Sequence, residues 1–337
     1  MRVAVVHHAV RPAAPADEQD ILVQAQAVSS ALEALGHDVV ILPCTLNLLE
    51  MRQDLSVLNS QAVFNLVETL EETGRLIHLF PALLDAMGLP YTGATSLSVM
   101  TTSHKILAKG RLRAAGIATP SWSGPFPQDG SGGETCGVTE EDEGDVWIIK
   151  SVWEHASVGL DETSIVRGNR EDVAAILPER AALLGGACFA ERFVEGREFN
   201  LSLLTGPEGP QVLPPAEILF EDFAPGVPRV VGYQAKWDPA SHAYQNTPRR
   251  FAHGSEDAPL VRDLTERALR CWKVFQLKGY ARVDFRVDGQ GRPWVLEVNT
   301  NPCLSPDAGF AAALEQAGIP FVEAVDRIVR EAVGIDD

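Results

Sequence analysis

The chain has 337 residues, of which 45% are hydrophobic and 22% are charged. This is the composition of an ordinary folded protein, and at roughly 150 residues per domain the length predicts two or three domains. Disordered chains, collagens and small disulfide-stapled modules are therefore excluded. The formal net charge of −18 argues against non-specific binding to nucleic acid or to an anionic membrane.

The first residues and the longest apolar runs bear on where the protein is located. The first residues, MRVAVVHHAV, read as a strand and lack the apolar core of a signal peptide, and no apolar run approaches the ~20 residues that span a bilayer. We therefore expect a cytoplasmic protein. Five cysteines lie scattered without C-x-x-C spacing, and we interpret each chiefly as structural filler: Cys44, Cys136, Cys188, Cys271 and Cys303.

The first hundred residues alternate between strands and helices. Apolar residues at helical spacing follow the first strand, and GRLIHLFPALLDAMG reads as an amphipathic helix in which Pro81 marks either a kink or a late start. The order strand, helix, strand, strand, helix predicts an α/β domain with a largely parallel sheet. Three segments read as its strands: RVAVVH, HDVVILP and QAVFNLVE.

The remainder of the chain predicts shorter, antiparallel strands mixed with helices. A helix with Lys105 and Lys109 follows the GLPYTGAT boundary, and the Pro-, Gly- and acid-rich stretch from Pro120 to Asp145 is typical of the surface. Further strands are expected at VWIIK, on both sides of Glu195 and Gly196, and at 212–220; helices are expected at 260–277 and near 320–333. We divide the chain into three domains: 1–97, 98–187 with a lid loop at 151–160, and 188–337.

The segment ARVDFRVDGQGRPWVLEVNTNP carries the clearest functional pattern. Both strands alternate strictly around the turn sequence DGQGRP, which predicts a hairpin centred between residues 290 and 291. Asp284 then lies opposite Glu297, and Arg282 opposite Asn299, with all four on one face. Paired carboxylates repel each other unless a cation lies between them, and oxygen ligands suit Mg²⁺. A solvated charged face is the alternative.

The hairpin and four further motifs resemble the D-alanine–D-alanine ligases of the ATP-grasp superfamily. These motifs are GLPYTG with a lysine-bearing helix, KSVWEHASVGL, AERFVEGREFN and Ala235-Lys236-Trp237, and they occur in that family's order over most of residues 62–335. The resemblance implies an ATP-grasp fold. In it, an N-terminal parallel α/β domain precedes central and C-terminal α+β domains, which grip ATP between them.

The resemblance implies a nucleotide site built from matching residues. Lys105 and Lys150 match phosphate-binding lysines, although either alone would more often be a surface residue. Glu191 and Glu198 match the acids that hold the adenine amine and the ribose hydroxyls, and Val194 stands at the hinge between them.

The same resemblance implies a catalytic centre on the hairpin. Lys236 matches the lysine that reaches the terminal phosphate, and Arg282 matches the arginine that stabilises the charged intermediate. Two Mg²⁺ ions, for which Mn²⁺ can substitute, are implied, with three ligands: Asp284, Glu297 and Asn299. Ser157 belongs to the stretch from Glu154 to Gly159, which matches a flexible lid over the phosphates.

The substrate side departs from the family pattern. A glycine-rich segment with a glutamate is replaced by HHAVRPAAPADE, where Asp17 or Glu18 can substitute or can be solvated loop acids. Ala156 stands for a serine, Trp237 for a tyrosine, and Ala308 for the serine that binds the second substrate's carboxylate. We therefore expect an altered acceptor site.

Further residues are candidates for contact with substrate. His7 ends the first strand, where α/β sheets bind ligands, and Glu68 lies in an acid-rich segment whose alternative role is to begin a helix. Tyr233 belongs to an expected loop over the site, 232–247. The full set of substrate candidates is His7, Glu68, Glu154, His155, Tyr233, Trp237, Cys303 and Ala308.

The implied activity is an ADP-forming carboxylate–amine ligase that acts through an acyl phosphate and makes an amide or peptide bond. Small-molecule carboxylates and amines are its expected partners, without nucleic acid or membrane, and a homodimer through the N-terminal domain is implied. Two alternatives stay open. One is an authentic D-alanine–D-alanine ligase of peptidoglycan precursor synthesis, and the other is a non-catalytic nucleotide-binding module.

Overall fold

The computed structural model describes residues 1–127, 146–155, 159–224 and 226–334. It begins with a three-stranded parallel sheet in the order β2-β1-β3. The strands are nearly continuous runs of apolar residues because helices cover both faces of the sheet. The elements of this part are β1 (Arg2–His8), α1 (Ala16–Ala34), β2 (Asp38–Cys44), α2 (Leu48–Val57), β3 (Ala62–Leu66), a 3₁₀ turn (Gly74–Leu76) and α3 (Leu79–Met87).

The parallel sheet confirms the predicted α/β class, but the predicted element order omitted α2. This helix connects β2 to β3, two strands that flank β1 and run parallel, so a crossover between them is required. Its mixed sequence, LLEMRQDLSV, buries only Met51 and Leu55 and therefore shows little periodicity. Pro81 lies in the first turn of α3, so the late helix start is confirmed and the kink is not observed.

A four-stranded antiparallel sheet in the order β4-β7-β5-β6 forms the central part. Asn169 caps α6 through a reciprocal capping box with Asp172. Residue Trp122 is 4% exposed on β4, so the expected surface stretch from Pro120 is wrong at its start; its part from 128 to 145 lies outside the described residues. The elements are α4 (Ser96–Ser103), α5 (Lys105–Ala114), β4 (Trp122–Phe126), β5 (Val146–Ser151), a 3₁₀ turn (Glu162–Ser164), β6 (Ile165–Arg167), α6 (Arg170–Ala181) and β7 (Cys188–Arg192).

A six-stranded sheet holds the predicted hairpin. Its path is β11-β10-β8-β12-β13, and β9 pairs with β8. The predicted strand at 212–220 is two short strands, and the predicted loop at 232–247 contains two short helices. The elements are β8 (Arg197–Leu204), β9 (Gln211–Val212), β10 (Ala216–Ile218), α7 (Tyr233–Trp237), α8 (His242–Gln245), β11 (Arg249–Arg250), a 3₁₀ turn (Ser255–Asp257), α9 (Ala258–Phe275), β12 (Tyr280–Val287), β13 (Pro293–Asn299), α10 (Gly309–Gln316) and α11 (Phe321–Val333).

The hairpin register agrees with the prediction where the chemistry is expected. Asp284 pairs with Glu297 and Arg282 with Asn299, and a bulge follows between Asp284 and Phe285. Strand alternation sends the side chains of Val283, Phe285 and Val287 into the core beneath α9, so the polar side chains lie on the opposite face of the sheet.

The domain boundaries at 97/98 and 187/188 stay predictions. Strand β7 begins just after the second boundary and pairs with β4 and β5 of the preceding sheet. It is joined to β8 of the following sheet by residues 193–196, so this turn is the covalent link between the two antiparallel sheets. None of the helices in the described ranges is both long and apolar enough to span a bilayer.

Candidate active site

The polar face of the β12–β13 hairpin brings together an arginine, two carboxylates and an amide. Arg282 binds Asp284 with two hydrogen bonds, from Nε to Oδ1 at 2.7 Å and from Nη2 to Oδ2 at 2.8 Å. Nδ2 of Asn299 lies 3.2 Å from Oδ2 of Asp284 and 3.3 Å from Oε1 of Glu297. On the neighbouring strand, Asn200 donates to Asp284 at 2.9 Å. The side chains predicted as metal ligands therefore converge.

This donor set fits a hard divalent cation. Burial raises the pKa of Asp284 and the Glu297 charge raises it further, whereas the adjacent Arg282 guanidinium acts in the opposite direction, so a cation bound between the two carboxylates would favour their ionised forms. The described residues contain no group of three or more His, Cys, Asp or Glu side chains suited to a metal. Rotation of the Asn299 amide exchanges Nδ2 for Oδ1, which leaves an all-oxygen set that suits Mg²⁺ completed by phosphate and water.

Three cations and a histidine surround Glu297. Lys105, Lys236 and Arg282 hold the pKa of Glu297 well below its usual range, against the opposing effect of burial. Burial in turn lowers the pKa values of Lys105 and Lys236. So much positive charge around one carboxylate would suit a polyphosphate, whose several negative charges need neutralisation during transfer.

Glu191, on β7, lies between two lysines. Lys109 donates from Nζ to Oε2 at 2.6 Å and to Thr119 at 2.8 Å, and Lys150 donates to Oε1 at 2.6 Å. Both lysine charges lower the pKa of Glu191, while burial opposes them. Two residues predicted to bind nucleotide, Lys150 and Glu191, are therefore bonded to each other. Lys109 was not predicted for the site, although its i+4 position after Lys105 places it on the same face of α5.

Glu198 is also paired with a cation that the sequence did not single out. Nη2 of Arg286 lies 2.8 Å from Oε2 of Glu198. The guanidinium is nearly buried and lies over the rings of Phe193 and Phe220, at 5.6 and 5.4 Å. Val194, the predicted hinge residue, is partly buried in the turn that separates Glu191 from Glu198.

The first part of the predicted lid is attached to the start of the 3₁₀ turn that follows β3. Glu154 accepts hydrogen bonds from Oγ1 of Thr73 at 2.8 Å and from the amide of Gly74 at 3.2 Å, and its carbonyl accepts from Nζ of Lys105 at 2.5 Å. A substituent on Gly74 would lie 2.6 Å from the Trp153 carbonyl, so only glycine permits this approach. The carboxylate of Glu154 thus fixes the loop, and Ala156 and Ser157 lie outside the described residues.

Two polar atoms of the substrate candidates are buried without a hydrogen-bond partner among the described residues. They are Nε2 of His155 and Nε1 of Trp237. Burial lowers the pKa of His155 to about 4, and the nearby charges of Lys105, Lys236 and Arg282 contribute. Such orphaned groups are costly in a folded protein and are expected where a ligand completes them. Tyr233, at the start of α7, donates from its backbone amide to Leu160.

The loop after β13 meets helix α1. The thiol of Cys303 lies 3.1 Å from Oδ2 of Asp20, Ser305 donates to Oδ1 of Asp20 at 2.7 Å, and Gln24 donates to Glu68 at 3.0 Å. Burial raises the pKa of Cys303 well above its usual value, and the charges of Glu68 and Asp20 raise it further. Asp20 was not predicted, because it lies inside helix α1 and its partners Cys303 and Ser305 are distant in the chain.

Two other substrate candidates lie at the edges of this region. His7 is buried at the end of β1 with Nδ1 2.7 Å from the carbonyl oxygen of His8, and burial lowers its pKa. Ala308 is the N-cap residue of α10 and offers no side-chain hydrogen bond to it.

Comparison with known proteins agrees with this architecture. Residues 112–330 match the family model of the D-Ala–D-Ala ligase C-terminus. The D-alanine–D-alanine ligase of Synechococcus sp. strain JA-2-3B'a(2-13) is 32% identical over 320 residues, 94% of this chain and 90% of the relative. The D-alanine–D-alanine ligase of Moorella thermoacetica is 31% identical over 327 residues, which cover 95% of this chain and 97% of the relative. The crystal structure of the Bacillus anthracis D-alanine–D-alanine ligase complexed with ATP is 20% identical, has a TM-score of 0.71 and covers 100% of this chain and 98% of its own.

The fold is therefore ATP-grasp, as the resemblance implied, and the protein is an ADP-forming ligase that makes carbon–nitrogen bonds and uses ATP with Mg²⁺. The chain belongs to the D-alanine–D-alanine ligase family. This membership confirms the enzyme class over the alternative of a non-catalytic nucleotide-binding module.

Proposed function

We propose that this ligase joins a small carboxylate to an amine through an acyl phosphate, at an acceptor site that differs from that of the D-alanine–D-alanine ligases. The single observation that carries this proposal is the charge arrangement on the β12–β13 hairpin. Two carboxylates and an amide converge there, and Lys105, Lys236 and Arg282 surround them. This arrangement suits phosphoryl transfer to a carboxylate, which needs positioning and charge neutralisation and no side-chain nucleophile.

Each residue has a proposed role in this reaction. Asp284, Glu297 and Asn299 would hold Mg²⁺, which neutralises phosphate charge when bound. Lys105, Lys150 and Lys236 would bind phosphate oxygens, and Arg282 would stabilise the developing negative charge beside the hairpin. Glu191, Val194 and Glu198 would contact the nucleoside.

The altered acceptor site is supported by the groups that line the substrate side. His155 and Trp237 present buried polar atoms without partners, whereas Ala308 presents none. A substrate that forms hydrogen bonds with these two groups binds more tightly, whereas a substrate that leaves them unpaired binds poorly and is selected against. We therefore expect the preferred substrate to differ from D-alanine on at least one side.

The test is ADP release by the purified protein with ATP and Mg²⁺, with D-alanine alone compared against pools of D- and L-amino acids, hydroxy acids and amines. Mass detection identifies the product. Turnover with another pool, and little with D-alanine alone, is the expected result. Release of the D-alanine dipeptide as the main product would overturn the altered acceptor site. Absence of ADP release with every pool would contradict the carboxylate–amine chemistry.

An authentic D-alanine–D-alanine ligase is the second candidate. The observation in its favour is the identity of 32% and 31% with relatives that carry this name, over nearly the whole chain. Restored growth of cells that lack their own ligase would support it, because such cells need the dipeptide for their cell wall.

A further inference from the structure

The guanidinium of Arg286 lies on the polar face of the hairpin, beyond Arg282 and Asp284. Successive side chains of a strand point to opposite faces, so these three residues share one face of β12. Arg286 pairs with Glu198 in the register of β12 with β8, and only 3% of the arginine is exposed. A buried charge is costly unless it is paired and hydrogen-bonded, so this arginine depends on the groups around it.

Three segments of the chain supply hydrogen-bond partners to the guanidinium. Its Nη2 lies 2.8 Å from Oε2 of Glu198 on β8, and its Nη1 donates to the carbonyl oxygen of Gly196 at 3.1 Å. Nη2 also donates to the carbonyl oxygen of Arg229, which lies between β10 and α7. The side chain of Arg286 is therefore tied to one carboxylate and to two backbone groups.

Two aromatic rings restrict the guanidinium further. Cζ of Arg286 lies 5.6 Å from the ring centre of Phe193 and 5.4 Å from that of Phe220, distances at which a cation is attracted to a ring. Phe193 belongs to the turn between β7 and β8, and Phe220 follows β10. A lysine could not reproduce these contacts, because it lacks a planar group with donors in a fixed arrangement.

The ion pair also restricts the carboxylate of Glu198, whose side chain is 12% exposed. A carboxylate has about four lone-pair sites on its two oxygens, so the contact from Arg286 leaves acceptor capacity for hydroxyl groups of a ligand. A glutamate side chain loses rotamer entropy when it is ordered. A partner that orders the side chain before the ligand arrives reduces this cost and so strengthens binding.

We propose that Arg286 is a positioning residue for the nucleotide, which holds the carboxylate of Glu198 in the orientation that accepts hydrogen bonds from the ribose hydroxyls. The inference rests on the proposed function, in which Glu198 contacts the nucleoside. Arg286 acts through Glu198, because its own hydrogen bonds go to that carboxylate and to two backbone carbonyls. Loss of Arg286 therefore reduces the contribution of the ribose hydroxyls to binding and leaves the contribution of the phosphates in place.

The first test measures the contribution of the hydroxyls by calorimetry with Mg²⁺, as the ratio of the dissociation constants of 2′,3′-dideoxy-ATP and ATP. In the wild type we expect a ratio of about 10 to 100, because the analogue lacks hydrogen bonds to a charged group. The ratio is expected to fall at least about 5-fold in Glu198→Gln and in Arg286→Met, and less in Arg286→Lys. Arg262→Met, on the exposed face of α9, is the matched control and should keep the wild-type ratio.

A merely structural role of Arg286 would weaken both nucleotides equally and would leave the ratio unchanged. That result for Arg286→Met would overturn the inference, and so would a wild-type ratio near unity. Circular dichroism shows whether each variant folds. If Arg286→Met does not fold, Arg286→Lys decides the question, since it keeps the buried charge and loses the planar group. An unchanged ratio in that variant would then overturn the inference.

The second test asks whether the two residues act as a unit. In the double variant Glu198→Gln with Arg286→Met, the ratio is expected to equal that of Glu198→Gln alone, because Arg286 acts on the hydroxyls only through that carboxylate. A fall equal to the product of the two single falls would overturn the inference. Failure of the proposed function is distinguished from it by absence of ADP release with every substrate pool while these nucleotide ratios persist.

Discussion

Nζ of Lys109 lies 2.6 Å from Oε2 of Glu191, and each residue is only 1% exposed. Lys150 approaches the other oxygen of Glu191 from β5, also at 2.6 Å. Two positive charges thus share one negative charge in the interior, between α5 and the four-stranded sheet. A buried ion pair is not by itself stabilising, but removal of one partner leaves an uncompensated charge that is expensive.

Glu191→Gln is expected to destabilise the fold far more than Lys109→Met. The glutamine leaves Lys109 and Lys150 as neighbouring cations without a counter-charge, at a cost of about 3–5 kcal/mol. Lys109→Met leaves Glu191 neutralised by Lys150 and should cost about 1 kcal/mol. Urea unfolding gives the free energy of unfolding of each variant, and Lys273→Met, on the exposed face of α9, is the control. Equal free energies of unfolding for the two buried variants would contradict this account.

Lys109 should also make stability rise with pH above neutrality. Burial lowers its pKa to about 8 in the folded protein, whereas an unfolded lysine titrates near about 10.4. Between these values the unfolded chain binds a proton that the folded protein has released, so the free energy of unfolding increases with pH, by up to about 3 kcal/mol. Unfolding of the wild type minus that of Lys109→Met, followed from about pH 7.5 to about pH 10, reports this group alone. A difference that stays flat or falls would show that Lys109 keeps its proton.

Gly196→Ala is expected to disrupt the turn between Glu191 and Glu198. Gly196 has a φ of +147°, and a Cβ there would overlap the carbonyl oxygen of Val287. We expect a loss of at least about 3 kcal/mol in unfolding free energy and a higher KM for ATP, because the link between the two sheets must move. Gly289→Ala, in the hairpin turn with open space around it, is the control and should change stability by less than about 1 kcal/mol. Similar effects of the two substitutions would rule out the steric explanation.

Asp284→Asn and Glu297→Gln are expected to remove metal binding. Each replaces a carboxylate ligand with a neutral amide, which a hard cation binds poorly, so Mn²⁺ affinity and ADP release should each fall at least about 100-fold. Paramagnetic titration with Mn²⁺ and circular dichroism separate loss of metal from loss of fold. Glu315→Gln, on the exposed end of α10, is the control. Full Mn²⁺ binding in both variants would show that the metal site does not lie on the hairpin.

The sequence determined the hairpin and its register because the relevant forces are local. Strict alternation and the DGQGRP turn place Asp284 opposite Glu297 and Arg282 opposite Asn299, and the structure has these pairs. The order of motifs also determined the family and the ATP-grasp fold. Helix α2 was not predicted because it buries only two side chains and so shows little periodicity. Strand β4 was not predicted because the Pro and Gly within its sequence, WSGPF, are typical of a loop.

Only the tertiary structure decided which charges meet. Lys109 and Glu191 are 82 residues apart, Arg286 reaches Glu198 across neighbouring strands, and Asp20 meets Cys303 from 283 residues away. A lysine or arginine in a sequence is by default a solvated surface residue, and nothing in its local spacing tells which carboxylate it will find after folding. Local periodicity specifies strands and turns, whereas the partners of buried charges depend on packing between elements distant in the chain.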